Sequence, residues 1–277
     1  MRRRAVEAQT VFISLVHNYE HDRLSRILPK LSKLQIGSNQ ILLKQYSKQT
    51  IKNYKFLQVL KHLFFFTWLY IKWTIYLGKK KSWSFIKEVL VIFKPLTGRE
   101  QYENFKKRLA ITNEATQKHV TLLTEFISSP AVYALVLESD AEIFDVNELE
   151  KFLLQVIKCY DLSDHIFGVV GEGLDYSKLG INSIPMLDFG SLYLYDRAFS
   201  NTTVAYFLNK KTADLIVKEI LQYPVHVPYV GSDWLLNYAF IKLNKKKKII
   251  RCIIPKEAVI GHGSRTGSSE SWQHKFS

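Results

Sequence analysis

Cysteine is scarce in this sequence, with only Cys159 and Cys252 among 277 residues. Two thiols cannot build a disulfide framework and have no metal-ligand spacing, so core cysteines in a reducing compartment are expected. A cleaved secretory signal is not expected: Met1 to Arg4 is basic, but Ala5 to Gln9 includes Glu7 and forms no apolar run. A long uncharged apolar segment is missing too. Phe56 to Leu77 could cross a bilayer by length, but Lys61, His62 and Lys72 interrupt it, and each mid-bilayer lysine costs about 2.5 to 3.5 kcal/mol. No repeat of fixed period and no Walker-type glycine loop is visible, and the second absence argues against a phosphoryl-transfer enzyme of that kind. The expected setting is cytoplasmic.

What is present is ample material for a core, since 47% of residues are hydrophobic and 13% aromatic. The net charge of +14 is unevenly placed. Residues 1 to 110 hold 22 Lys and Arg against 6 Asp and Glu, a net +16, which leaves −2 for the remainder. A basic block of this kind suits a polyanionic partner, anionic lipid or nucleic acid; the alternative is a solvated face that favours solubility.

Thr10 to Val16 is a short β-branched run followed by a helical pattern through Leu24, Ile27, Leu28, Leu31 and Leu34. Thr112 to Phe126 has helical spacing, Pro130 breaks it, and Val132 to Leu137 is a continuous apolar run of buried-strand type. Helix then buried strand implies parallel α/β pairing. Further on, helices are expected over 146–160, 211–223 and 233–243, and strands over 166–170, 203–208 and 249–254. Residues 171–185 and the Gly- and Ser-rich 261–277 read as loops.

Residues 54–81 predict a basic helix. At 100° per residue, Lys55, Gln58, Lys61, His62, Lys72, Lys79 and Lys80 share one stripe, with Leu57, Leu60, Leu63, Phe64, Trp68, Ile71 and Ile75 outside it. Such a helix can lie in the headgroup region of an anionic membrane, with Trp68, Trp73 and Tyr76 suited to the interface, or pack on its own domain.

The chemistry-bearing segment is Val136-Leu137-Glu138-Ser139-Asp140-Ala141-Glu142. A buried strand ending in carboxylates presents charge at the sheet edge, where open α/β folds bind ligands. Glu138 and Asp140, one residue apart, can share a hard divalent ion completed by phosphate oxygens; the plainer reading is acidic residues that cap the next helix, as Asp145 is placed to do.

Ala115 to His119, then a helix, then Tyr133 to Ala141 resembles glycosyltransferase family twenty-five, the lipopolysaccharide-type transferases, in which a Ser-His helix precedes a strand ending in Glu-Asp-Asp. Val11 to Leu15 leading to Arg23, Val204 to Ala213, Val230-Gly231-Ser232-Asp233-Trp234 and Gly263 to Ser269 are similar to its other motifs in the same order. The resemblance implies a GT-A type fold, a mixed α/β sheet flanked by helices, formed by residues 1–36 and 110–277, with 37–109 as a basic helical insertion. It implies a nucleotide-sugar donor, commonly a uridine diphosphate sugar, and a glycan acceptor such as lipopolysaccharide core. Ser139 stands where the family has its middle aspartate, and Lys118 where it has the serine before His119. Metal use, Mn²⁺ or Mg²⁺, therefore falls to Glu138, Asp140 and His262.

Donor binding is assigned to Arg23, Glu138, His119 and Arg265, the arginines through their fit to phosphate oxygens. His262, between Gly261 and Gly263, suits the metal or the diphosphate. Inversion at a sugar carbon needs a base for the acceptor hydroxyl, for which Asp233 is the first candidate and Asp188 the second; Asp233 as a simple helix N-cap is the alternative. The expectation is an inverting, metal-assisted transferase, peripheral on the inner face of a membrane. The competing reading is a non-catalytic basic protein that binds membrane or nucleic acid on a degenerate transferase fold.

Overall fold

A computed structural model of the protein describes residues 11–16, 21–35, 54–78, 83–159, 165–171, 186–200, 203–222 and 230–263. In chain order the elements are β1 (Val11–Val16), α1 (His21–Leu31), α2 (Phe56–Tyr76), α3 (Trp83–Ile92), a 3-10 turn (Lys94–Leu96), α4 (Arg99–Ser128), β2 (Tyr133–Glu138), β3 (Ala141–Ile143), α5 (Val146–Cys159), β4 (Ile166–Val169), β5 (Met186–Phe189), β6 (Leu192–Tyr195), β7 (Ala205–Asn209), α6 (Lys210–Leu221), α7 (Ser232–Lys245), β8 (Arg251–Pro255) and β9 (Ile260–His262).

Among the described residues the larger sheet has seven strands in the order β1-β2-β7-β4-β8-β6-β5. It is mixed. β1 and β2 run parallel, as do β4 and β8, whereas β2 and β4 both pair antiparallel with β7. The parallel pairing expected from helix and buried strand thus holds on one side of β2 only.

Period-two alternation divides the core in two. Ala134 and Val136 of β2, with Tyr206 and Leu208 of β7, join a cluster filled from α2, α4, α6 and α7. Leu135 and Leu137, with Ala205 and Phe207, face a second cluster filled from α1 and α5. Both faces of β2 are therefore covered, which is why its sequence is continuously apolar rather than alternating. Deleting a side chain there, as in Leu135→Ala, should cost about 2 to 5 kcal/mol. Caps define the helices that frame this core: Asn209 accepts from the Thr212 N–H at 2.8 Å ahead of α6, and Asp145 accepts from Asn147 N–H at 2.7 Å ahead of α5, the role expected of it.

The turn between β5 and β6 holds Gly190 at φ +68°, where a side chain would be strained. Cys252 is fully buried and its thiol is pushed up to about 12 by that burial, in keeping with a core cysteine; the side chain of Cys159 lies outside the described residues.

Of the expected polar stripe, Lys55, Gln58 and Lys61 are exposed and Lys72 is half-buried, whereas His62 is buried. Val59, His62, Leu63, Leu69, Trp73 and Tyr76 are buried, and Leu69, Trp73 and Tyr76 enter the main core. His62 is the correction to the expected polar stripe: it lies between Phe66 and Phe105, at ring-centroid distances of 5.9 and 5.5 Å. The reason is that α2 has apolar residues almost all round, so its orientation follows the neighbours α4 and α7 rather than its charges. Lys79 and Lys80 lie outside the described residues. Among the described residues no helix is long and apolar enough to cross a membrane. α4 runs unbroken through residue 110, where the insertion was expected to end.

Candidate active site

Glu138, at the end of β2, is held from below by its own backbone, its N–H donating to Val204 carbonyl oxygen at 2.9 Å. Its carboxylate is met by His119 of α4, with Nε2 to Oε1 at 3.2 Å, and by the Thr203 hydroxyl. The other imidazole nitrogen, Nδ1, lies 2.9 Å from the Tyr206 hydroxyl on β7. Both ring nitrogens are thus engaged, Nε2 with the carboxylate and Nδ1 with the hydroxyl. Thr203 spends its single proton on Glu138, so the Ser232 hydroxyl, 2.7 Å away, donates to Thr203. One carboxylate is thus fixed by groups from α4, β7, the segment before β7 and the start of α7.

These contacts decide its charge. Burial pushes the Glu138 pKa up, but the hydrogen bond and charge of His119, the Thr203 hydrogen bond and the charge of His262 outweigh it and hold the pKa below the usual carboxylate value. His119 is buried, with both ring nitrogens engaged by protein groups. Its effect on a ligand passes through Glu138.

Two residues further on, the chain turns into β3, which pairs antiparallel with β9 so that Ala141 faces His262. Gly263 N–H donates to the Asp140 carbonyl oxygen at 2.7 Å, and His262 Nδ1 comes within 3.5 Å of Asp140 Oδ2. This small ladder brings together residues more than a hundred positions apart, and both side chains retain some exposure, 23% for His262 and 12% for Asp140. A partly open carboxylate and imidazole beside an ionised glutamate can face a diphosphate, directly or with a divalent ion. Among the described residues no group of three or more His, Cys, Asp or Glu could hold a metal ion by itself.

Asp233 completes the arrangement from α7. The N-cap of that helix is Gly231, not Asp233, which stands in the first turn. α4 fixes the approach to this turn, as Thr116 Oγ1 donates to the Val230 carbonyl oxygen at 2.8 Å. The Asp233 pKa is raised to about 7, first by burial and then by the negative charge of Glu138, against the lowering effect of the Trp234 and Asp233 backbone N–H groups. A Cβ added at Gly231 would lie 2.9 Å from Asp233 Oδ1, so the glycine leaves space for the carboxylate. The two carboxylates are therefore near enough to feel each other, yet one is held ionised and the other is poised near neutrality. A pair arranged in this way can take up and release a proton near neutral pH.

The structure brings Glu138, His119, Asp140, His262 and Asp233 to one end of the sheet. It does not bring Asp188 there. That residue is exposed on the far edge strand β5, five strand spacings or about 24 Å from β2, and both its oxygens receive Lys256 Nζ at 2.7 Å. Arg23 lies on α1, with its side chain outside the described residues, as is Arg265 entirely. Sequence reasoning gave no role to Thr203, Ser232 or Tyr206. Tyr206 and Ser232 stand inside the motifs quoted above, but nothing in the pattern around Thr203 marks it. Compared with models of known protein families and with curated proteins, the chain gives no match.

Proposed function

We propose that the protein is a glycosyltransferase that moves a sugar from a nucleotide-sugar donor, a uridine diphosphate sugar by the motif resemblance, to a glycan acceptor. The observation that carries this reading is the Glu138–Asp233 pair, two neighbouring carboxylates with opposite pKa shifts at the end of a sheet strand. The GT-A assignment rests on the order of motifs along a mixed α/β sheet.

Asp233 is the base. As the acceptor oxygen bonds to the anomeric carbon, its hydroxyl proton passes to the Asp233 carboxylate. The bond from that carbon to the diphosphate oxygen breaks, and its electron pair leaves on the diphosphate, giving inversion. A base with a pKa near 7 matches the operating pH without being so weak that it fails to accept the proton. Glu138, kept ionised by His119 and Thr203, holds the Asp233 pKa up and fixes the polar wall of the site. Asp140 and His262 face the diphosphate.

A divalent ion such as Mn²⁺ would be held by Asp140 and His262, the Glu138 carboxylate being engaged by His119 and Thr203, with diphosphate oxygens and water supplying the rest of the shell. When bound it would neutralise charge on the leaving diphosphate. The test is turnover of a panel of nucleotide sugars with and without Mn²⁺. Donor hydrolysis or transfer that disappears in Asp140→Asn supports the reading. No turnover of any donor, together with salt-sensitive binding of polyanions, would favour the non-catalytic binding protein instead.

A further inference from the structure

The face of α2 turned away from the core is apolar and open. Leu57, Phe64, Trp68 and Ile75 recur at spacings of seven, four and seven, and are 62, 64, 37 and 53% exposed, Trp68 least because its ring also meets Tyr238 of α7 at a centroid distance of 6.3 Å. The adjoining α3 adds Leu90 and Val91, 65 and 64% exposed. The two helices are tied by the Tyr70 hydroxyl and the Glu88 carboxylate, and Phe64 of α2 packs edge-on against Phe93 after α3 at 5.6 Å. Large side chains of this kind, exposed side by side, mark an interaction surface rather than ordinary scatter.

The charges around them select the partner. Lys61, Lys87 and Lys94 are exposed and Lys72 is half-buried, while Glu88 is the sole acidic residue between positions 54 and 98 and is committed to Tyr70. A second copy of the chain meeting this face about a two-fold axis would oppose like charges. Anionic headgroups above an acyl layer satisfy both the lysines and the rings.

We propose that the α2–α3 face docks flat on an anionic lipid surface, with Leu57, Phe64, Trp68 and Ile75 entering the headgroup boundary and the lysines meeting lipid phosphates. The opposite face of α2 shows what docking would position. Phe66, Trp73 and Tyr70 surround Trp234 at ring-centroid distances of 4.8, 5.3 and 6.0 Å, and Trp234 is the residue after Asp233. On the transferase reading, a lipid-borne acceptor would meet the site from this surface; lipid docking itself does not depend on that reading.

The experiment is flotation of the full chain with phosphatidylcholine vesicles, with and without phosphatidylglycerol, and with no donor or acceptor present. Failure of docking is therefore separable from failure of catalysis. Wild type should float with the anionic vesicles and lose binding in high salt. Lys61→Glu with Lys72→Glu should lower the partition coefficient at least about 30-fold, the effect of losing two lysines at roughly 1 kcal/mol each, and Phe64→Ser with Ile75→Ser should lower it comparably. Brominated lipid should quench tryptophan fluorescence in wild type and less in Trp68→Phe. Thermal melts should match wild type because the altered side chains lie on the open face, and Lys61→Gln with Lys72→Gln serves should the charge reversal shift the melt. The proposal is overturned by wild type that stays unbound at low salt, by binding that neither double variant weakens, or by a dimer that Phe64→Ser with Ile75→Ser dissociates while vesicles remain unbound.

Discussion

Asp233 stands beside the β2 end of the sheet and Asp188 on the opposite edge strand, and sequence offers them as first and second candidates for a catalytic base. Their surroundings separate them. Asp188 is 62% exposed and paired with Lys256, so water and a cation share its charge. Asp233 sits against Glu138 with the start of α7 around it, and its pKa rises to about 7. A carboxylate becomes a useful base through burial and a like-charged neighbour, neither of which is written in the residue itself.

The largest effect expected from breaking this contrast is on turnover. Asp233→Asn should lower it about 10²- to 10⁴-fold, the usual contribution of a positioned base, without unfolding the protein. In wild type the rate should rise with pH through about 7 as Asp233 ionises. Stability should move the other way. Between the unfolded pKa of 3.8 and the native value of about 7, the folded state holds a proton that the unfolded state has lost, so stability falls as pH rises through that window. Asp233→Asn removes the penalty and should be more stable than wild type at pH 8, by about 2 kcal/mol once the partly accessible carboxyl is allowed for. Denaturant titrations at pH 5 and pH 8 measure this; a variant that is inactive but no more stable at pH 8 would break the link between burial and basicity.

Burial acts on α2 in the same way. His62, read from sequence as part of a solvated stripe, is buried with its pKa lowered to about 4 by that burial, and its Nδ1 has no hydrogen-bond partner among the described residues. Between about 4 and 6.5 the unfolded chain binds a proton that the folded one refuses. Stability is therefore complete above 6.5 and falls as pH drops through the window, by about 3 kcal/mol at pH 4. His62→Phe should flatten this acid limb relative to wild type, with the ring still able to pack between Phe66 and Phe105. An unchanged difference between the two proteins from pH 7 to pH 4 would place the imidazole in water after all.

Gly231→Ala tests the space around Asp233 rather than its charge. The added methyl would press on Oδ1 of the aspartate at 2.9 Å, and also on Thr112 Cγ2 at 3.2 Å. Turnover should drop by about 10²-fold, the cost of displacing a catalytic group by an ångström or so, while the thermal transition moves little. A large loss of stability with normal specific activity would reverse the interpretation.

What could be read in advance follows from where the determinants lie. β2 was legible because both its faces are covered and its apolar run is continuous, and α5 because Asp145 announces its start. β3 and β9 were not. Three-residue strands show no period, and their pairing joins Ala141 to His262 across a long stretch of chain. That pairing is also what sets His262 against Asp140, so the site residues were named singly but their junction was hidden. The exposed face of α2 was hidden for a different reason: with rings and aliphatic side chains all round, only the docking of Leu69, Trp73 and Tyr76 into the core shows which side remains open.

The smallest expected effect is the one that most directly guards the contrast between the two edges. Asp188→Asn removes an exposed carboxylate whose partner, Lys256, is itself one-third exposed. Surface pairs of this kind contribute about 0 to 1 kcal/mol, because water screens the attraction and two side chains must be ordered to make it. Lys256 would lose little, since its ammonium also lies 5.1 Å from the Tyr193 ring centroid, a second favourable contact. The β5–β6 turn rests on Gly190 and its backbone pairing rather than on this ion pair. Stability should shift by under about 0.5 kcal/mol, and turnover and its pH profile should match wild type within error. Loss of the ionisation near 7 in Asp188→Asn, with that ionisation retained in Asp233→Asn, would exchange the roles of the two aspartates and place the base on the far edge of the sheet.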